Sequence, residues 1–198
     1  MADAPAQDAV VSSEAEQLIL VDEQDREIGS DSKAACHDAH GMLHRAFSLF
    51  VFNGRGELLL QQRSSSKRLW PGYWANSCCS HPRRGEDMPT ATRRRLREEL
   101  GLACELKFLY KFQYQADYGE LGAEHELCWV YVGSSDAPVR VNANEIADWR
   151  FIAPGELDRE IAEHSERFTP WLRLEWQRLR EEFRDELPGA GIKEDRKE

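Results

Sequence analysis

The chain has 198 residues, 41% hydrophobic and 31% charged, with a net charge of −10. That length and balance suit one globular domain of ordinary size, and no apolar run approaches the length of a membrane span. The acidic balance argues against a nucleic-acid partner, but a few placed Lys or Arg side chains can still capture an anionic small molecule.

Residues 1–15 and 188–198 cannot bury apolar surface and are expected to be mobile tails around a single domain at 16–187. The N-terminal stretch is acidic and Ala/Ser-rich and lacks the basic start and apolar core of a signal peptide. The cysteines at 36, 78, 79, 104 and 128 are odd in number. Together these point to a reducing, cytoplasmic setting.

Residues 17–21 read as a strand, 22–26 as a turn, and 46–52 with 57–62 as a hairpin around Gly54-Arg55-Gly56. A loop containing Trp70-Pro71-Gly72-Tyr73-Trp74 follows. Next comes Asn76-Ser77-Cys78-Cys79-Ser80-His81-Pro82, which sets a thiol two residues from an imidazole. Thiols serve as acids or nucleophiles and neutral imidazole binds metals, so this short segment holds two parts of a mechanism. Residues 88–100 combine a Pro near the start, a 3.6-residue pattern and a stop at Gly101, and are predicted helical. Strands are expected at 106–114, 124–133 and 146–152, and helices at 154–163 and 170–187. The order is that of an α+β (mixed α/β) domain, with a helix inserted among mainly antiparallel strands.

The predicted helix at 88–100 and its approach resemble the Nudix box through Ser80, Glu86, Arg94, Arg95, Leu96, Glu98, Glu99, Gly101 and Leu102. In Nudix hydrolases the glutamates of this helix hold divalent ions that activate water. Arg95 stands where one of those glutamates would be, so hydrolysis is disfavoured. Arg95 and Glu99 are four apart on one helix face, suited to a phosphate oxygen and a phosphate-bound Mg²⁺ respectively.

A second constellation is built from His37, His44, His81, Glu124 and Glu126. Residues two apart on a strand share a face, so Glu124 and Glu126 can bind one ion. Three imidazoles and two carboxylates make a mixed N/O site, closer to six-coordinate Mn²⁺, Mg²⁺ or Fe²⁺ than to structural Zn²⁺. His40 and His125 are read as ordinary loop and strand residues.

From Lys33 to Trp171 these features closely resemble the type 1 isopentenyl diphosphate isomerases of the Nudix superfamily. The strongest blocks are His37 with His44, Arg63-Ser64-Ser65-Ser66-Lys67, Trp70-Pro71-Gly72-x-Trp74-x-Asn76-Ser77-x-Cys79-x-His81-Pro82, the altered helix, and Glu124-x-Glu126. Ser80 departs from the Gly of many relatives. The resemblance implies a Nudix-like fold, with a mixed central sheet flanked by helices, and a monomer or weak dimer acting on a prenyl diphosphate. It implies Cys79 as the catalytic thiol, Glu126 as the opposing carboxylate, and His37, His44, His81, Glu124 and Glu126 as ligands of Mn²⁺ or Mg²⁺, with Zn²⁺ or Fe²⁺ as alternatives. Lys33, Arg63, Lys67 and Arg95 would hold the diphosphate, and Glu99 a second Mg²⁺.

The implied reaction shifts a double bond by adding one proton and removing another, through a tertiary carbocation that water would trap. Trp74 is expected to stabilise the cation through its indole face, and Tyr114 to donate a hydrogen bond to Glu126. Cys78, facing the other way from Cys79, is expected to be structural. The alternatives are a Nudix diphosphohydrolase and a non-catalytic metal-binding module. The amphipathic segment 171–187 is read as closing the core, with a lid role as the lesser expectation.

Overall fold

A computed structural model of the chain describes residues 9–189; the rest of both expected tails lies outside the described residues. Alternating apolar residues and Gly-containing turns give strands β1 (Gln17–Val21), β2 (Glu27–Ser32), β3 (His44–Phe52), β4 (Leu58–Arg63), β5 (Trp74–Ala75), β6 (Cys78–Ser80), β7 (Leu106–Asp117), β8 (Ala123–Ser134) and β9 (Ile146–Ile152). The helices are α1 (Lys33–Cys36), α2 (Met88–Leu100), α3 (Pro154–Glu163) and α4 (Pro170–Glu182). All the strands belong to one sheet. Every pairing is antiparallel except that of β3 with β8.

Strand β3 organises the molecule. It runs parallel to β8 along its whole length, which sets His44 beside Glu126, and its middle pairs with β6, which sets Ser48 opposite Cys79. Side chains alternate across a strand, so one face of the sheet carries Phe47, Leu49, Leu59 and Cys78. Helix α2 covers that face with a stripe of Met88, Ala91, Leu96 and Leu100. The other face carries Phe50, Phe52, Leu60, Val130 and Val132, covered by α3 and α4 through Leu157, Leu172, Trp176 and Leu179. The result is a mixed sheet flanked by helices, as expected. Truncating one fully buried side chain such as Leu96 to Ala costs about 2–5 kcal/mol.

Helix α2 has the predicted bounds for identifiable reasons. Asp87 caps it by accepting from the Thr90 amide at 2.8 Å, and Gly101 ends it in the left-handed region at φ 64°. Elsewhere the structure differs from expectation. The segment at 78–80, read as part of a loop, is a three-residue strand too short to show a period. Strand β2 is polar and half-exposed, so it carries no apolar alternation. The last helix stops at Glu182 rather than 187, where Phe183 leaves helical geometry and stacks on Tyr110 at 4.9 Å.

The segment before β1 reaches Lys33 of α1, Arg95 of α2 and Asn142. Asn142 Nδ2 donates to the Ala9 carbonyl, Arg95 Nη1 to that of Val11, and Lys33 Nζ to Ser12 Oγ, each at 2.8 Å.

Candidate active site

Four elements converge on a buried cluster. His37 ends α1, His44 opens β3, His81 follows β6, and Glu124 and Glu126 share a face of β8. One ligand atom from each lies within 4.8 Å of all the others. His37 Nδ1 is 2.7 Å from the Lys33 carbonyl oxygen, and His44 Nδ1 is 2.7 Å from that of Met42. A carbonyl only accepts, so both Nδ1 atoms carry a proton, and in the neutral ring Nε2 is the atom left to offer a lone pair to the centre.

These residues fit a divalent cation. His44 Nε2 is buried without a hydrogen-bond partner, and so is Glu124 Oε2, although it lies 2.8 Å from His37 Nε2. Native structures seldom leave such atoms unsatisfied. Burial holds the His44 imidazole down to about 4, and burial followed by the neighbouring His44 and His37 holds His81 well below its ordinary value, so both are neutral ligands. Burial opposes ionisation of Glu124, but His37 beside it prevails and holds the carboxyl down to about 2. Burial and the Glu124 charge push Glu126 well up. Two carboxylates crowded in this way are the situation a cation relieves.

The cluster forms one wall of a cavity of about 350 Å³. Cys79 and Glu126 both line it, with Tyr114 and Trp171. Tyr114 Oη donates to Glu126 Oε2 at 2.7 Å, as expected. Burial pushes the Cys79 thiol up to about 12 against the opposing pull of Arg63, so it holds its proton. Cys78, one residue back, is fully buried on the α2 side with Leu49 and Leu96.

The same cavity carries cations. Lys33, Arg63, Lys67 and Arg95, the residues expected at the diphosphate, all line it. Arg63 bonds the Leu69 carbonyl at 2.8 Å and the Trp70 carbonyl at 3.1 Å, which fixes its guanidinium 5.2 Å from the Trp171 ring centre. Arg95 is 3% exposed and reaches Glu99 at 2.6 Å and Glu145 at 3.2 Å, so this is a buried ion-pair network rather than a surface pair. Lys67 also pairs with Glu145.

Two placements differ from expectation. Trp74 does not line the cavity; it packs in the core with Phe50 and Trp176, under the Arg150 guanidinium at 4.7 Å. The indole at the cavity is that of Trp171, held by a hydrogen bond from Nε1 to Asn76 Oδ1 at 3.2 Å. In sequence Trp171 belongs to an amphipathic stripe, and nothing local separates a cavity-lining Trp from a core one. Glu99, expected on a second Mg²⁺, lies buried beneath Arg95 and is not part of the cavity wall. Glu145 is part of it, and its only sequence signal is a carboxylate just before a strand. His40 is exposed beside Asp117, and His125 points to Gln113, both outside the cluster.

A family model for the NUDIX domain matches residues 42–172. The chain is similar to "Isopentenyl-diphosphate Delta-isomerase 1" of Photorhabdus laumondii, with 44% identity over 87% of this chain and 99% of that protein. It is also similar to "Isopentenyl-diphosphate Delta-isomerase" of Burkholderia multivorans, with 46% identity over 79% and 88%. Among solved structures, one from Deinococcus radiodurans superposes with a TM-score of 0.68 at 27% identity, covering 82% of this chain and 98% of that one. The MutT protein of Methanosarcina mazei superposes with a TM-score of 0.56 at 17% identity over 70% and 93%, a likeness of fold.

Proposed function

The chain belongs to the NUDIX family and, within it, to the isopentenyl-diphosphate Delta-isomerases, and from that premise we propose that it interconverts isopentenyl and dimethylallyl diphosphate by moving protons at Cys79 and Glu126. The observation that carries this reading is that the sulfur and the carboxylate line one cavity together with Lys33, Arg63, Lys67 and Arg95. A diphosphate taken by Lys33, Arg63, Lys67 and Arg95 directs its five-carbon tail toward the thiol, the carboxylate and the indole.

The chemistry balances without a co-reactant. One of Cys79 and Glu126 gives a proton to the terminal alkene carbon, the other takes one from the carbon next to the oxygen-bearing end, and the roles exchange in the reverse direction. Between the two transfers, positive charge sits on the tertiary carbon. The Trp171 face offers π-electron density there and no lone pair to trap the cation. Tyr114 holds Glu126 in place and stabilises its ionised form through the hydrogen bond to Oε2. Walls of Leu69, Tyr114 and Trp171 keep water from the cation.

A divalent ion on His37, His44, His81, Glu124 and Glu126 would supply charge that lowers the cost of ionising Glu126. The mixed N/O donor set suits Mn²⁺ or Mg²⁺ better than structural Zn²⁺. Mg²⁺ would also accompany the diphosphate, with Glu145 the carboxylate of the wall beside Lys67 and Arg95. The cysteines at 36, 78, 79, 104 and 128 are all unpaired, in keeping with a reducing, cytoplasmic setting. Among the described residues no helix is long and apolar enough to cross a membrane.

The test is incubation with isopentenyl diphosphate and Mg²⁺, followed by separation of the two isomers with free phosphate measured in parallel. Accumulation of dimethylallyl diphosphate without phosphate release is expected. Phosphate release without the allylic isomer would establish the hydrolase instead.

A further inference from the structure

Helix α4 buries Trp171, Leu172, Glu175, Trp176 and Leu179, a helical stripe of large apolar residues with one carboxyl in it. Glu175 is 0% exposed. Its Oε1 lies 3.4 Å from Cys128 Sγ, which in turn lies 3.5 Å from Ser48 Oγ, and its Oε2 has no hydrogen-bond partner. No Lys or Arg pairs with it among the described residues. The groups facing it are Ser48 on β3, Cys79 on β6, Tyr110 on β7, and Glu126 and Cys128 on β8, none of them a cation. On its own helix, Arg178 is turned to Glu182 at 3.1 Å and to the Tyr110 ring at 4.3 Å.

An isolated carboxyl costs free energy in such a place even when neutral, and a Leu would fill the stripe without that cost. Its position gives the reason for it. Ser48 pairs with Cys79 across β3 and β6, Cys128 lies two residues along β8 from Glu126, and Trp171 lies one helical turn before Glu175. The side chain therefore joins the helix that carries the indole to the floor that carries both proton-transfer groups. Glu175 also accepts from Tyr110 Oη through its backbone carbonyl at 3.3 Å.

We propose that Glu175 is a positioning residue that sets Trp171 over the cavity by tying α4 to Cys128 and Ser48. This rests on the isomerase reading above, and specifically on the role given there to Trp171. Burial pushes the Glu175 carboxyl up from 4.5 to about 8, so it is neutral over the working range. Above that, an uncompensated charge appears in the stripe, and the tie to the sheet loosens.

The experiment compares wild type, Glu175→Gln and Glu175→Leu for isomerase kcat and KM from pH 6 to 9.5, and for melting temperature. Gln keeps the shape and polarity of the neutral acid, so at pH 7 it should hold kcat near wild type. Leu should melt at or above wild type yet lose kcat on the order of tenfold with KM little changed, because only the indole has moved. The wild-type kcat should decline above about pH 8, and the Gln variant should lack that decline. Gln as impaired as Leu at pH 7, Leu turning over like wild type, or coincident alkaline limbs for Gln and wild type would each overturn the proposal. If Leu does not fold, the Gln comparison decides alone. A wild-type protein that fails to isomerise at any pH overturns the isomerase reading itself, which is a separate result.

Discussion

Trp74 and Trp171 show what a residue's chemistry owes to its neighbours. Both are buried indoles, but Trp171 shares a cavity with Cys79 and Glu126 while Trp74 packs among Phe50, Val130 and Trp176. A desolvated cation–π contact is worth about 2 kcal/mol, roughly thirty-fold in rate. Trp171→Leu is therefore expected to lower kcat by about that factor with a smaller change in KM, whereas Trp74→Phe lowers the melting temperature and spares kcat. Steady-state kinetics and thermal melts on the two variants check this, and a Trp74 variant with the greater kcat loss would reverse the assignment. The expected His and Glu residues do come together in one cluster, and Cys79 and Glu126 do share a cavity, an expectation that rested on the resemblance of whole motifs rather than on spacing. The indole was not legible, because Trp serves packing and catalysis with the same side chain. Glu145 and Glu175 were hidden for a related reason: their surroundings come from segments distant in the chain.

At the scale of elements, α2 was legible to the residue, since cap, stripe and stop are local signals. What its pattern did not reveal is that Arg95 and Glu99 belong to the buried stripe, paired with each other and, through Arg95, with Glu145. The β7–β8 turn adds a constraint of another kind. Gly122 has φ 140°, and a Cβ there would fall 2.2 Å from the His37 carbonyl oxygen, next to the bond by which the Ala123 amide donates to that oxygen at 3.0 Å. Only Gly lets the turn approach a ligand residue so closely. Gly122→Ala is expected to displace His37 and weaken divalent-ion affinity by about 10–100-fold, as loss of supporting contacts around a ligand usually does. Metal titration against a competing chelator reads this out, and unchanged affinity would show that the turn leaves the cluster untouched.

Over the whole molecule, a chain of net charge −10 brings Lys33, Arg63, Lys67 and Arg95 to the wall of one cavity. Local placement thus decides which ligand is welcome, and the global charge does not. The sheet supplies the rest. β3 lies between β6 and β8, so one strand sets Cys79 and Glu126 around a shared floor, and α4 closes it from above. That convergence depends on a parallel pairing between segments some 80 residues apart in sequence, which is why the local β3–β4 hairpin was legible and the pairing of β3 with β8 was not. The central claim is that both proton transfers occur in this cavity, at residues 79 and 126, and the most direct measurement is isomerisation in deuterium oxide followed by magnetic resonance of the recovered diphosphates. Wild type and Cys78→Ala should yield dimethylallyl diphosphate with solvent deuterium in a methyl group, while Cys79→Ala and Glu126→Gln should form product and exchange hydrogen at least about a hundred-fold more slowly. Deuterated allylic product formed at the wild-type rate by either of the last two variants would contradict it.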